Sequence, residues 1–149
     1  MKLATDFTDR TDKKMLHKEL TEKIIGVFYD VYNELGHGFL ESVYEAAMLI
    51  ALREAGLLVE SQVEIPVWFR EHKIGVFYAD LLVGGVVIVE LKAVRSLDPS
   101  HEAQLLHYLR STEIELGLLL NFGVKPEIKR KIYDNPRKSV KSVANSFSG

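Results

Sequence analysis

Residues 80–92 read Asp-Leu-Leu-Val-Gly-Gly-Val-Val-Ile-Val-Glu-Leu-Lys, which is two apolar runs separated by a pair of glycines. Apolar runs on either side of two glycines are a strong signal for a β-hairpin. The pattern therefore predicts two adjacent strands, at residues 74–83 and 86–94. These two strands decide the fold, because the rest of the chain must pack around them.

Three charged residues stand within the predicted strands: Asp80 in the first, and Glu90 and Lys92 in the second. Side chains alternate between the two faces of a strand, so Glu90 and Lys92 project together. A two-residue turn would place Asp80 opposite Val89, with Asp80 and Glu90 on opposite faces. A three-residue loop at residues 84–86, or a bulge with the same effect, sets Asp80 directly against Glu90. We predict the three-residue loop.

Two carboxylates and a lysine in this arrangement can bind a hard divalent cation. Charge in the middle of a sheet is costly unless it is paired or bound to metal. Lys92 supplies one positive charge, which leaves a net negative site suited to the oxygen coordination of Mg²⁺ or Mn²⁺. A metal held there polarises a phosphoryl oxygen and lowers the pKa of a bound water, while the lysine orients that water or neutralises developing charge. The alternative is an ion-pair cluster at the edge of the sheet, since the spacing of the three residues is permissive.

The remaining sequence alternates between helical and extended patterns. Apolar residues three and four apart predict an amphipathic helix at residues 14–35, and Gly36 is placed to end it. The other predicted elements are, in chain order, a helix at residues 40–55, a strand about residues 63–67, the two hairpin strands, a helix at residues 99–111 with Ser96 or Asp98 as N-cap, a strand at residues 116–121 and a final strand or helix at residues 127–133. We expect an α/β domain with a mixed sheet flanked by helices.

The composition is that of an ordinary soluble globular protein. The chain has 149 residues, of which 47% are hydrophobic and 27% are charged. It contains no cysteine, which excludes a disulfide framework, a thiolate zinc site and a cysteine-ligated iron–sulfur cluster. No apolar run is long enough to cross a bilayer, and the polar N-terminus is not a secretory signal. We therefore expect a soluble cytoplasmic protein.

Charge is distributed unevenly along the chain. The net charge is −2, but residues 121–149 contain seven Lys and Arg against two acidic residues, a local charge of +5. We predict a flexible leader at residues 1–13, a single domain at residues 14–133 and a flexible basic tail at residues 134–149. The basic stretch is either a solvated terminal segment or a patch for the phosphates of nucleic acid.

Residues outside the hairpin carry further motifs. The segment Gly38-x-x-Glu41-x-x-Tyr44 resembles the signature of the GxxExxY proteins, which are assigned to the PD-(D/E)XK nuclease superfamily. The likeness runs from about residue 24 to residue 133 and includes four more segments: Tyr78-Ala79-Asp80, Val89-Glu-Leu-Lys-Ala93, Glu102-Ala-Gln-Leu-Leu106 with Tyr108, and Leu119-Leu-Asn-Phe-Gly123. Ala79 stands where the superfamily name suggests a proline. Relatives with an iron–sulfur cluster need cysteines that this chain lacks.

The resemblance implies a restriction-endonuclease-like core, a mixed sheet flanked by helices with the acidic site at one end. It implies that Asp80 and Glu90 are metal ligands, that Lys92 is the catalytic lysine and that Glu41 is an additional helix carboxylate that completes the metal site. Without the resemblance, Glu41 is explained by the preference of acidic residues for a helix N-terminus.

Gln104 and Tyr108 match the Q-x-x-x-Y element of related nucleases. They lie four residues apart and therefore share one face of the predicted third helix. The resemblance implies that both residues face the active site and contact the nucleic-acid backbone. By spacing alone they are typical of an ordinary polar helix surface.

The resemblance also implies a function, that of a metal-dependent nuclease. Such an enzyme hydrolyses phosphodiester bonds with Mg²⁺ or Mn²⁺, and we favour DNA over RNA as its substrate. The alternative is a non-catalytic module that binds nucleic acid or protein and keeps the nuclease fold. The acidic net charge and the small size favour this alternative, because little surface remains to hold a duplex without a homodimer or a larger protein partner. A metal-binding structural protein is a third interpretation.

Overall fold

The computed structural model describes residues 17–134 of the chain. This part contains three helices and five strands. In chain order they are helix α1 (Lys18–Leu35), helix α2 (Glu41–Glu54), strands β1 (Val59–Phe69), β2 (His72–Val83) and β3 (Val87–Lys92), helix α3 (Pro99–Arg110), and strands β4 (Leu116–Phe122) and β5 (Pro126–Ile132). The predicted succession of elements is confirmed, and the last element is a strand.

The five strands form one mixed sheet in the order β1-β2-β3-β4-β5. Neighbouring strands are antiparallel except β3 and β4, which are parallel and joined by the crossover helix α3. Between β2 and β3, Val83 lies opposite Val87 and Leu81 lies opposite Val89. This register confirms the predicted three-residue loop of the hairpin.

Helices cover both faces of the sheet, each over its own apolar core. One core contains side chains of α1 and α2 together with alternate residues of β3 and β4. The other contains Leu105, Tyr108 and Leu109 of α3 with Ile88 and Leu119 of the sheet. Every residue of β4 is buried, as expected for a strand covered on both faces. The predicted α/β architecture, a mixed sheet flanked by helices, is confirmed.

Local sequence explains where the helices begin and end. Gly36 follows α1 with a φ of 69°, a left-handed conformation that glycine adopts at little cost. Helix α3 begins with a capping box, in which the Asp98 side chain accepts from the Ser100 N–H at 2.8 Å. In return, His101 Nδ1 accepts from the Asp98 N–H at 3.0 Å. Of the two N-cap residues considered, Asp98 is the one that caps this helix.

The long hairpin formed by β1 and β2 reverses its faces partway along. Leu81 belongs to the core under α1 and α2, whereas Ala79, two residues earlier, belongs to the core under α3. Strict alternation would place both on one face, so β2 breaks its alternation at Asp80. Strand β1 has a matching irregularity at Gln62, which has a left-handed φ of 50° and lies between the residue pairs that flank Asp80. Asp80 therefore lies where the hairpin changes faces.

Some predicted boundaries differ from those observed. Strand β2 begins two residues earlier than predicted, at His72, and β3 ends two residues earlier than predicted, at Lys92. Beyond that end, the Val94 N–H donates to the Asn121 side chain of β4. The predicted leader, the first residues of the predicted helix at 14–35, and the basic tail beyond residue 134 lie outside the described residues. None of the helices within residues 17–134 is long and apolar enough to cross a membrane.

Candidate active site

The ladder of backbone pairs between β2 and β3 ends at Leu81 and Val89. At the next position, side chains replace the backbone hydrogen bonds. Glu90 Oε2 accepts from the Asp80 N–H at 2.7 Å, and Asp80 Oδ2 accepts from the Leu91 N–H at 2.8 Å. Each carboxylate is thus fixed by the backbone of the opposite strand. We call Asp80 and Glu90 the carboxylate pair.

Both members of the carboxylate pair have raised pKa values. Glu90 is only 3% exposed. Burial, followed by the neighbouring charge of Asp80, raises the pKa of Glu90 to about 8. Burial also raises the pKa of Asp80, against the opposing effects of the Leu91 N–H and the Lys92 charge. Negative charge is costly at this site, so a bound cation would relieve the cost.

Lys92 connects the carboxylate pair to helix α3. Its Nζ donates to Gln104 Oε1 at 3.1 Å. Its positive charge favours the ionised forms of both Asp80 and Glu90. The structure thus brings Gln104 into contact with Lys92, which lies twelve residues earlier in the chain and projects beside Glu90.

Tyr108 lies one helical turn after Gln104 and faces the sheet. Its side chain is 4% exposed, and its ring packs on Phe77 with the ring centroids 4.8 Å apart. Burial, followed by the charges of Glu90 and Asp80, raises the pKa of Tyr108 to about 12. The hydroxyl therefore keeps its proton at neutral pH.

Glu41 is the first residue of α2 and lies within electrostatic reach of the carboxylate pair. Burial raises the pKa of Glu41, the charge of Lys92 opposes this rise, and the charge of Asp80 adds to it. A smaller opposing effect comes from His101 of α3. Polar groups from α2 and α3, on opposite faces of the sheet, therefore both influence this region.

Glu45 and Gln62 also belong to this site, although neither was predicted. Gln62 Nε2 donates to Glu45 Oε1 at 2.6 Å. Hydrogen-bonding interactions with both side chains lower the pKa of Asp80, while burial raises the pKa of Glu45. Glu45 lies four residues after Glu41, on the same helix face, and this spacing is a usable sequence signal. Gln62 has no such signal, because it reaches the site through a left-handed backbone that is rare for glutamine.

Tyr44, the tyrosine of the GxxExxY segment, is a core residue. It is fully buried, and its ring stacks on Phe122 with centroids 4.0 Å apart and an interplanar angle of 11°. Its hydroxyl donates to Gly36 O at 2.5 Å and accepts from the Phe39 N–H at 3.3 Å. Tyr44 therefore stabilises the turn between α1 and α2, which immediately precedes Glu41.

A second buried polar group lies beside the carboxylate pair. Asn121 is fully buried and lies opposite Lys92 in the register of β3 and β4. Its Oδ1 accepts from the Val94 N–H at 3.0 Å, and its Nδ2 donates to Val94 O and to Glu127 Oε1, both at 2.9 Å. Glu127 Oε1 also accepts from the Leu97 N–H at 3.0 Å. We call Asn121 and Glu127 the amide cluster.

The predicted metal site needs Asp80, Glu90 and Glu41 to converge on one ion. Within residues 17–134, no group of three or more His, Cys, Asp or Glu side chains is arranged to hold a metal ion as it stands. The three-carboxylate site therefore stays a prediction. The donor chemistry of the carboxylate pair nevertheless suits Mg²⁺ or Mn²⁺, because Mg²⁺ is commonly held by one or two carboxylates with water and substrate phosphate as its other ligands.

Comparison with known proteins places the chain in a family. A family model described as the PD-(D/E)XK nuclease superfamily matches residues 18–131, which is most of the chain. No curated protein and no solved structure matches it. The five-stranded mixed sheet with helices on both faces is consistent with a restriction-endonuclease-like fold. The chain belongs to the PD-(D/E)XK nuclease superfamily.

Proposed function

We propose that this protein is a divalent-metal-dependent nuclease that hydrolyses phosphodiester bonds, with DNA favoured over RNA as its substrate. Membership of a nuclease superfamily supports nuclease-type activity and nucleic acid as the partner. The observation that carries the proposal is the carboxylate pair. It consists of two carboxylates from neighbouring strands, both raised in pKa by burial, beside a lysine. Groups that are this costly to ionise are concentrated at functional sites.

In the proposed reaction, Asp80 and Glu90 would hold Mg²⁺ or Mn²⁺, with Glu41 as an additional ligand. The metal would polarise a phosphoryl oxygen of the substrate and lower the pKa of a bound water. Lys92 places a positive charge where negative charge develops on the phosphate, and Gln104 holds its Nζ in position. The protonated Tyr108 hydroxyl is the hydrogen-bond donor proposed for the nucleic-acid backbone.

A second candidate function is a non-catalytic module that binds nucleic acid or protein. The reciprocal hydrogen bonds of the carboxylate pair favour it, because Glu90 Oε2 and Asp80 Oδ2 already accept from backbone N–H groups. Calorimetric titration with Mn²⁺ separates the two functions. We expect the wild type to bind Mn²⁺ and Asp80→Ala to lose that binding, whereas a module with a decayed site binds no Mn²⁺ in either form.

Cleavage of labelled DNA and RNA, single-stranded and duplex, tests the activity itself. With Mg²⁺ or Mn²⁺ we expect the wild type to cleave, and Asp80→Asn and Lys92→Met each to lower the rate by at least about 100-fold. Asp30→Asn and Lys23→Met remove the same charges from exposed positions on α1 and serve as matched controls. Cleavage that survives Asp80→Asn and Lys92→Met unchanged would refute the assignment of the site.

We further propose that the chain is a GxxExxY protein within its superfamily, because Gly38, Glu41 and Tyr44 match the signature. The role of Tyr44 in the turn before Glu41 supports this, because it gives the tyrosine of the signature a structural reason. A homodimer or larger protein partner and a cytoplasmic location stay predictions.

A further inference from the structure

A cavity of about 410 Å³ opens at the carboxyl ends of β3 and β4. It lies between the loop that follows β3 and the turn that joins β4 to β5. Its lining residues are Arg95, Ser96, Val124, Lys125, Pro126 and Glu127. We call it the loop cavity. None of the residues assigned to the candidate active site lines it.

Two cationic side chains line the loop cavity, Arg95 and Lys125, and both residues are exposed. Among the described residues neither forms a salt bridge. The acidic lining residue, Glu127, is engaged in the amide cluster, where its Oε1 accepts from the Leu97 N–H and from Asn121 Nδ2. Two cations that lack an ion-pair partner beside an open cavity favour an anionic ligand.

The backbone that carries these cations is held firmly. The Tyr32 hydroxyl shares its one proton between Gly123 O at 2.7 Å and Val124 O at 2.8 Å. At Gly123, a Cβ would lie 2.5 Å from Val94 O and 2.9 Å from Arg95 O, so the two loops approach too closely for any larger residue. The attachment points of both cations are therefore fixed before a ligand binds, which lowers the entropy cost of binding.

The loop cavity is close to the candidate active site along the chain. Arg95 follows Lys92 by three residues, a span of at most about 10 Å. Each nucleotide advances a strand by about 3.4 Å along the helix axis, so this span corresponds to roughly three nucleotides. A strand with its reacting phosphate at Lys92 would bring a phosphate within about three nucleotides of it to the cavity.

We propose that the loop cavity binds a backbone phosphate of the nucleic-acid substrate through Arg95 and Lys125, with the Ser96 hydroxyl as a further donor. This inference rests on the proposed function, because it takes the reacting phosphate to lie at the carboxylate pair. It assigns a path to the substrate strand, which leaves the site across the carboxyl ends of β3 and β4 toward β5. Phosphate contacts of this kind position a strand without reading its sequence.

Equilibrium binding of short fluorescent DNA, single-stranded and duplex, tests the inference by anisotropy at several salt concentrations. The chain carries Lys92→Met so that cleavage is suppressed in Mg²⁺. We expect Arg95→Ala with Lys125→Ala to weaken binding about tenfold. We also expect the slope of log affinity against log salt to decrease by about 0.7 for single strands and about 0.9 for duplex, because the contact with one phosphate is lost.

The matched control is Lys18→Ala with Lys23→Ala, which removes the same charge from exposed positions of α1. The inference is supported if the cavity variant loses affinity and the control stays within about twofold of its parent. It is overturned if both variants lose affinity equally, if neither does, or if the parent binds no DNA. The proposed activity is judged separately, by cleavage. If the cavity variant loses binding but the wild type never cleaves, the phosphate site is supported and the proposed nuclease activity is refuted.

Discussion

The carboxylate pair and the amide cluster lie side by side in one sheet, yet burial has opposite consequences for them. In the amide cluster, the Asn121 side chain has a partner for its oxygen and two acceptors for its nitrogen. In the carboxylate pair, two acidic side chains face each other, and the pKa of Glu90 rises to about 8. The Asn121 amide is neutral and fully hydrogen-bonded, whereas the carboxylate pair concentrates like charge.

The amide cluster has a structural role and the carboxylate pair a proposed functional one, although the two lie only a few residues apart. A buried polar group with complete hydrogen bonding stabilises a unique fold. A buried group of like charges destabilises the fold until a ligand of opposite charge arrives. Substitutions in the two groups should therefore change stability in opposite directions, and only those in the carboxylate pair should act on chemistry directly.

The largest contrast is expected from Glu90→Gln. Glutamine keeps the shape, and its carbonyl oxygen can still accept from the Asp80 N–H. We expect DNA cleavage to fall by at least about 100-fold, because a carboxylate proposed to bind the metal is lost. We also expect the metal-free chain to become more stable at pH 8. Cleavage assays and chemical denaturation in a chelator measure the two effects, with the exposed Glu34→Gln as control.

The direction of the stability change expected for Glu90→Gln follows from the pKa of Glu90. The pKa of Glu90 is about 8 in the folded chain, against an ordinary value of 4.5. The folded state therefore binds more protons than the unfolded state between these values, so the contribution of Glu90 to stability is full below pH 4.5 and is lost as pH rises through 8. Glu90→Gln should remove this decline. If metal-free Glu90→Gln loses stability with rising pH as steeply as the wild type, the carboxylate pair is not the source of the decline.

Asn121→Ala tests the other side of the comparison. It removes the partners of the Val94 backbone and of Glu127, so we expect the free energy of unfolding to fall by about 2–4 kcal/mol. Urea denaturation measures this loss, and Asn33→Ala, at an exposed position of α1, is the control. A loss below about 1 kcal/mol would show that the amide cluster does not stabilise the fold as its hydrogen bonds indicate.

Tyr44→Phe is expected to have the smallest effect. It keeps the stacking on Phe122 and loses the hydrogen bonds to Gly36 O and from the Phe39 N–H. We expect a loss of about 1 kcal/mol in the free energy of unfolding. Tyr29→Phe, at a partly exposed position, should change it much less. If Tyr44→Phe instead left stability intact and abolished cleavage, Tyr44 would be a site residue and not a structural one.

The hairpin register shows how much of the site local sequence could predict. The glycine pair and the two apolar runs predict a hairpin, with either a two-residue turn or a three-residue loop. We predicted the loop, which sets Asp80 against Glu90, and Val83 does lie opposite Val87. Register in a hairpin depends on a few adjacent residues, so it is accessible from sequence. That register places Asp80 and Glu90 just beyond the last backbone pair, and there each side chain accepts from a backbone N–H of the other strand.

The surroundings of the carboxylate pair were harder to predict from the sequence. The contact of Gln62 with Glu45 depends on a left-handed residue in β1, and no composition or periodicity signals it. The pKa of Glu90 depends on coverage by helices that are distant in the chain. The choice between strand and helix for the last element depended on its pairing with β4.

The sequence by itself determined the order of the elements, the α/β class and the position of three charged residues in a hairpin, because these depend on periodicity and adjacent turn residues. The tertiary structure alone decided that β2 changes faces at Asp80, that the Asn121 amide is fully hydrogen-bonded, and that Arg95 and Lys125 line one cavity. Each of these facts requires segments that are far apart in sequence to meet. Their energies come from burial and from partners, and neither is encoded in the spacing of nearby residues.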